Sequence, residues 1–417
     1  MYSPKQIFGS RLFGNIYNLF LLYGFSHIIP ILLMPFLLNT IGADNYGRVN
    51  FALSVAFYFQ VVNEFGFDLS NVRHIVANRE DRQKMSEIVS AILCSKFLIF
   101  AVLAAVYVPI VFLVPMLREY WLLYILVFLR IPGICLSLGW LFRSMENLKY
   151  VTRITVVVKT LCILPIFFVV KSQDDYIWVA VFFLLQELLG GLVSLIVARR
   201  VYRIRFVSLR LSTVWFYLKE SAPFFVATFV TRVYQMSNTF FLGVFCGEYA
   251  VGIYTAAEKL YFAYVAFMSP LMSQVFYPYF LRVKKFEVIN RIVRLVIIGN
   301  LAVLGIGYFV APYILPIFLK VELGQIIAYF NMFLIVLAVV IPSEMVGYPY
   351  LGSMVRVDEV NRSAVIAAAV YMCGVGVLIV FDGIGVAWLI GMQLLANLSC
   401  LCCRLFYIGR ARIRPAV

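Results

Sequence analysis

Charged side chains are scarce in this sequence of 417 residues: Asp, Glu, Lys and Arg together make up 13% of it. Soluble domains carry roughly 25%, so a water-facing surface cannot be assembled from this composition. Histidine is nearly absent, with only His27 and His74. The eight cysteines are scattered, mostly inside apolar runs, and no pair of CxxC motifs occurs. Together these exclude a zinc-type site and a disulfide framework, and leave the cysteines as small apolar filler. No Gly-Lys pair exists anywhere in the chain, so a phosphate-cradling P-loop is impossible. Neither a GxSxG elbow nor an HExxH helix is present. The sequence therefore predicts no nucleotide hydrolysis, no cofactor, no metal and no catalytic residues.

What fills the chain instead is apolar: 64% of residues are hydrophobic and 17% aromatic. Twelve apolar runs stand out, at 14–38, 48–68, 88–112, 121–142, 150–170, 177–198, 222–245, 253–279, 291–311, 325–349, 363–381 and 384–404. Each matches the roughly 20 residues that cross a bilayer as a helix. Backbone groups in lipid must be paired within the segment, and the runs lack the period-two alternation of barrel strands. The fold class is thus an all-α polytopic membrane protein of about 12 transmembrane helices. The first run is too long for a cleaved signal core and is expected to remain as the first helix.

The net charge of +15 comes with a one-sided distribution. With twelve spans, almost all loop Lys and Arg fall on one side, while the other holds only Arg48, Arg118, Lys171 and Lys320. Positive loops stay in the cytoplasm, so both termini are expected there, together with the basic loop near 199–221. A basic balance of this kind serves orientation and contact with anionic membrane lipids rather than nucleic acid.

A short repeat divides the chain. Gly42, Gly47 and Ala52 recur 205 positions on as Gly247, Gly252 and Ala257, each set following an odd-numbered span on the outer side. Two six-helix lobes of like orientation follow, 1–210 and 211–417, the layout of many transporters.

Five cations lie inside spans: Lys96, Arg130, Lys159, Arg232 and Lys259. Each costs about 2.5–3.5 kcal/mol at the bilayer centre, so they must face a wet interior or partners. One reading is a cationic cavity that receives an anionic headgroup. The other is structural pairing with Glu64, Glu187 and Glu344, acids that could also serve ions, protons or gating. Prolines interrupt many spans, among them Pro30, Pro35, Pro132, Pro165, Pro270, Pro278, Pro342 and Pro349, and mark expected kinks.

Several segments carry a family resemblance. Glu64-Phe65-Gly66-Phe67-Asp68-Leu69-Ser70 with Arg73, Arg79, Asp81 and Ser86-Glu87-Ile88 resembles the second-to-third-helix region of O-antigen flippases of the Wzx type. So do Ile41-Gly42 to Tyr46-Gly47, and Gly252-Ile253-Tyr254-Thr255-Ala256-Ala257-Glu258-Lys259 followed by Pro270 and Tyr277-Pro278. The resemblance implies the multidrug/oligosaccharidyl-lipid/polysaccharide exporter superfamily, with two six-helix lobes around a central cationic cavity. It further implies a flippase for undecaprenyl-pyrophosphate-linked oligosaccharide in the bacterial cytoplasmic (inner) membrane, working beside other glycan-assembly proteins. Lys259 falls within a matching motif; the other candidates rest on charge placement. A drug/cation antiporter of the same fold is the alternative, disfavoured by the surplus of in-span cations. A polytopic glycan polymerase or ligase would need a large outer loop, and the outer segments are short.

Overall fold

A computed structural model describes the backbone of residues 11–413 apart from 284 and 355. Side chains are described for 29–410 apart from those two and 226–228, 230, 231 and 233–235. Of the cations that count toward the expected orientation, Lys5, Arg11, Lys284, Arg412 and Arg414 lie outside the described side chains. Among the described residues every regular element is helical.

Each apolar run becomes a helix. We number them α1 (11–41), α2 (43–64), α3 (Arg82–Leu113), α4 (Trp121–Ser144), α5 (Leu148–Val169), α6 (Tyr176–Tyr202), α7 (211–246), α8 (248–283), α9 (Phe286–Phe318), α10 (Leu323–Met354), α11 (Val357–Val380) and α12 (Val386–Ile413). Nine helical stretches among the described residues are long and apolar enough to cross a membrane.

The repeat is realised more tightly than the expected outer loops. No loop separates α1 from α2 or α7 from α8; each pair turns at one glycine. Gly42 adopts φ 80°, ψ 169° and Gly247 φ 83°, ψ 177°. This region of backbone space is essentially reserved for glycine, so the matching residues of the two copies perform the same turn. The basic loop is also shorter than 199–221: α6 runs to Tyr202 and α7 starts at Leu211, leaving a connector over 203–210 without regular structure.

Some of the prolines mark breaks as expected, whereas Pro30, Pro35 and Pro278 lie within uninterrupted helix. α4 breaks near Pro132, and α5 at Leu164 and Pro165. Pro270 precedes a π-helical stretch, Leu271–Phe276. Pro342 precedes another, Val346–Leu351, where Gly347 departs from helical geometry with ψ −114°.

By packing, the chain forms two compact units. One holds Val49–Met236 with the beginning of α1; the other holds His27–Arg48 with the chain from Ser237 on. The first unit is sewn together by close helix contacts. A Cβ on Gly133 of α4 would lie 2.4 Å from the Glu187 carbonyl carbon, and one on Gly191 of α6 would lie 2.2 Å from the Gly133 oxygen. Small residues let membrane helices approach to backbone contact in this way. At one end of the unit Phe67, Ile75, Ile88, Ile92, Trp140 and Phe142 form a fully buried core.

In the second unit Arg404, one of the cations that the charge count from sequence assigns to the cytoplasmic loops and tail, turns inward instead. It is 9% exposed. Its Nη1 donates to the Ser343 carbonyl at 2.6 Å and its Nε to Ser363 Oγ at 3.0 Å, joining α12 to α10 and α11 beside the break at Gly347. The guanidinium thus serves polar atoms where the helix is interrupted, which hydropathy at a span end does not disclose. Arg404→Met is expected to lower stability by about 1–3 kcal/mol through the stranded acceptors. Thermal unfolding in detergent checks this, and Arg404→Lys should fall between, keeping the charge without the fork.

Candidate functional site

Three turns of helix place the first cluster. The Gly133–Gly191 contact locks α4 to α6, and Arg130 and Glu187 each sit about one turn before those glycines. Arg130 Nη2 therefore meets Glu187 Oε1 at 3.4 Å, and its guanidinium lies 5.9 Å from the Phe183 ring. α5 packs on the same helix, with Val158 beside Gly190. The next residue, Lys159, stands within electrostatic reach of both Glu187 and Arg130. Two cations thus share one carboxylate. Arg130 Nε is buried with no protein hydrogen-bond partner.

The second cluster is built by the turn that ends α2. Phe65 and Gly66 both take positive φ, at 44° and 71°. Gly66 is obligatory for space as well, since a Cβ there would lie 2.6 Å from the Phe225 backbone nitrogen on α7. The Phe65 and Phe225 rings stack at 4.8 Å between centroids. This turn sets Glu64 and Asp68 toward the neighbouring helices. Glu64 accepts from Arg232 of α7 and from Gln60 at 2.9 Å. Asp68 faces Lys96 of α3 at 3.6 Å and Arg143 of α4 at 2.8 Å, with Arg232 in electrostatic reach. Lys96 is 2% exposed, so it does not snorkel to any surface. Three cations here surround two acids.

Lys259 belongs to the second unit. Its ammonium contacts the hydroxyl of Tyr46 and lies 4.7 Å from that ring's centroid. The contact is possible because α8 starts at Gly247 against the turn that holds Tyr46. Its neighbour Glu258 is buried and accepts from Tyr254 Oη at 2.8 Å. That hydroxyl accepts from Asn238 Nδ2 at 2.9 Å; Asn238 also donates to Gln393 at 3.1 Å and accepts from Tyr371. Glu344 of α10 accepts from Ser269 of α8 at 2.9 Å, with Arg404 in electrostatic reach.

The structure therefore brings Arg130 together with Lys159, and Arg232 together with Lys96. Glu187 and Glu64 are paired, and each cluster holds a cation more than its acids. Arg143 escapes an insertion-cost argument because it lies at the end of α4; its signal in the sequence is Asp68, an acid at a span end. The Asn238 network joins only neutral side chains apart from Glu258 at its end, so an insertion-cost argument reaches Glu258 and not Asn238, Tyr371 or Gln393.

Residues 12–284 match the profile of a family described as polysaccharide biosynthesis protein. A protein of Shigella dysenteriae named "Putative O-antigen transporter" is 26% identical over 315 residues, covering 74% of this chain and 78% of its own. One of the same name from Escherichia coli (strain K12) is 26% identical over 288 residues, covering 68% of each. Among solved structures, the lipid II flippase MurJ in an inward closed conformation aligns with a TM-score of 0.71 at 13% identity, over 92% of this chain and 86% of its own. An inward-facing multidrug resistance MATE family transporter of the MOP superfamily aligns with a TM-score of 0.67 at 14% identity, over 94% and 100%. The chain shares the all-helical membrane fold of these structures. With its profile matched over more than half its length, the chain belongs to the polysaccharide biosynthesis protein family.

Proposed function

We propose that this protein is a flippase, not an enzyme. It carries an undecaprenyl-pyrophosphate-linked oligosaccharide, an O-antigen repeat unit or similar surface-glycan precursor, from the cytoplasmic to the periplasmic leaflet of the bacterial inner membrane. It does so by alternating access of two lobes, 1–210 and 211–417, with both termini cytoplasmic. The observation that carries this reading is the surplus of cations inside the spans: Arg130 and Lys159 against Glu187, and Lys96, Arg143 and Arg232 against Glu64 and Asp68. A diphosphate leaving water needs fixed cations in place of its hydration shell, and the planar guanidinium matches phosphate oxygens two at a time. In the empty protein Glu64 and Glu187 hold the arginines in position; the diphosphate displaces them. Lys259, with Tyr46, offers a further cation in the second half. The similarity to O-antigen transporters supports the same substrate class.

The fold is shared with multidrug transporters, but a pocket for cationic drugs calls for an excess of acids inside the bundle. Reconstitution decides between the two. Proteoliposomes holding this chain should flip a defined lipid-linked oligosaccharide. Export of a cationic dye without movement of the glycolipid would make it a drug antiporter. The headgroup carries about two negative charges, so an inside-negative potential of 100 mV favours outward transfer by about 4–5 kcal/mol. The rate is expected to fall when a potassium-diffusion potential is reversed, with no proton or sodium gradient present. An unchanged rate would replace voltage by ion coupling through acids such as Glu344.

A further inference from the structure

A groove of about 420 Å³ opens on the face of α3 that bears Ser90, Leu93, Cys94 and Phe97. Its other walls are Leu136 of α4, Phe206 and Leu209 of the connector between α6 and α7, and Leu211 at the start of α7. The connector does not drape loosely. The backbone amides of Arg205 and Val207 donate to the hydroxyls of Ser86 and Ser90, both at 3.2 Å, so two serines one turn apart on α3 fix this stretch of chain alongside the helix. The groove is therefore a built feature.

Its chemistry has two parts. The lining is apolar. The rim is cationic: Arg205 and Arg210 are exposed on the connector, and the Arg199 guanidinium lies 4.8 Å from the ring of Phe206, itself a wall residue. No acid occurs between Glu187 and Glu220 in the sequence. Among the described residues no carboxylate pairs with any of these three arginines.

An apolar slot beside uncompensated arginines, on a helix that spans the membrane, complements an amphiphile with an anionic head. We propose that the groove holds an acyl chain of an anionic phospholipid, with Arg205 and Arg210 on its phosphate. The transported glycolipid is the less suitable occupant, because the groove and the charge cluster use different faces of α3. Lys96 points into the protein toward Asp68, whereas Cys94 and Phe97, on either side of it in sequence, are exposed. A headgroup held by the cluster would not bring its tail to this face.

Cys94 supplies a reporter inside the groove. In the full chain with its other cysteines replaced, a bimane on Cys94 is read in vesicles containing brominated phosphatidylglycerol or brominated phosphatidylcholine. The brominated phosphatidylglycerol should quench at lower mole fraction, with about a five-fold preference for each arginine engaged. Arg205→Gln with Arg210→Gln should abolish the preference, and a bimane on exposed Cys373 of α11 should show none. Equal quenching by both lipids at Cys94, or quenching by neither, overturns the proposal. So does displacement of brominated phosphatidylglycerol by undecaprenyl diphosphate, which would assign the groove to the polyprenyl chain. Should the cysteine-replaced chain fail to fold, the wild-type protein gives the same decision by native mass spectrometry. It should retain phosphatidylglycerol over phosphatidylcholine, and the double glutamine variant should not; equal retention by the wild type overturns the proposal.

Discussion

Gly47→Ala is expected to prevent formation of the native protein. A Cβ at this position would stand 1.7 Å from the Glu248 carbonyl oxygen and 2.7 Å from the Gly252 nitrogen, both backbone atoms of the other repeat copy. Neither can swing aside as a side chain can. The Arg48–Glu248 ion pair at 2.7 Å, next to the contact, would be lost with it. A cost above about 4 kcal/mol is expected, at the extreme of single substitutions. Gly247→Ala separates sterics from conformation: nothing lies within 4 Å of its Cβ, so only the positive φ opposes it, at about 1–3 kcal/mol. Gly299→Ala on α9 meets nothing and keeps a helical backbone, and should be neutral or stabilise by up to about 1 kcal/mol. Monodispersity after detergent extraction and thermal unfolding would order the three. A Gly47→Ala protein as stable as wild type would show that the two copies do not meet this closely.

Arg130→Gln is expected to reduce flipping by about 30-fold or more, since truncating a buried charged contact costs about 2–5 kcal/mol. That loss alone would not separate a substrate contact from a broken ion pair. The double variant Arg130→Gln with Glu187→Gln does. It removes both partners of the 3.4 Å contact and leaves Lys159 as the remaining charge of the cluster, so a purely structural Arg130–Glu187 pair would recover activity. If Arg130 binds the diphosphate, the double variant remains inactive while its thermal stability returns. Flipping rates in proteoliposomes, read beside melting temperatures, give both quantities. Recovery of transport in the double variant would remove Arg130 from the binding site.

Much of this fold was legible because lipid imposes simple rules. A 20-residue apolar run has one backbone solution, so the position of each helix could be read from hydropathy and their number checked against the placement of Lys and Arg. The repeat glycines were visible as well, but their purpose was not. Spacing shows that Gly42 corresponds to Gly247, yet only coordinates show that Gly47 lies on Glu248 and Gly252 on Ala43. The in-span charges were found from insertion cost, and the same argument forced partners upon them without saying which. Glu187 was paired with Arg130 by two glycines, Gly133 and Gly191, that carry no charge signal of their own. Arg404 misled because hydropathy assigns a cation at a span end to the loop, whereas the broken end of α10 draws it inward.

The contact between the two glycine turns is reciprocal. Gly47 rests on the backbone at 248–252, and Gly252 rests on Ala43, 2.1 Å from where its own Cβ would stand. It has the form of an isologous interface between two subunits, folded into one chain. The two halves therefore cannot drift independently at these positions. Extra volume at 47 can be accommodated only by retreat near 248–252, and extra volume at 252 only near 43. Aligned relatives should accordingly show covariation between positions some 200 residues apart, while neighbours such as 47 and 50 vary freely of one another. The mutual constraint accounts for glycine at both 47 and 252, since each lies against backbone of the other copy.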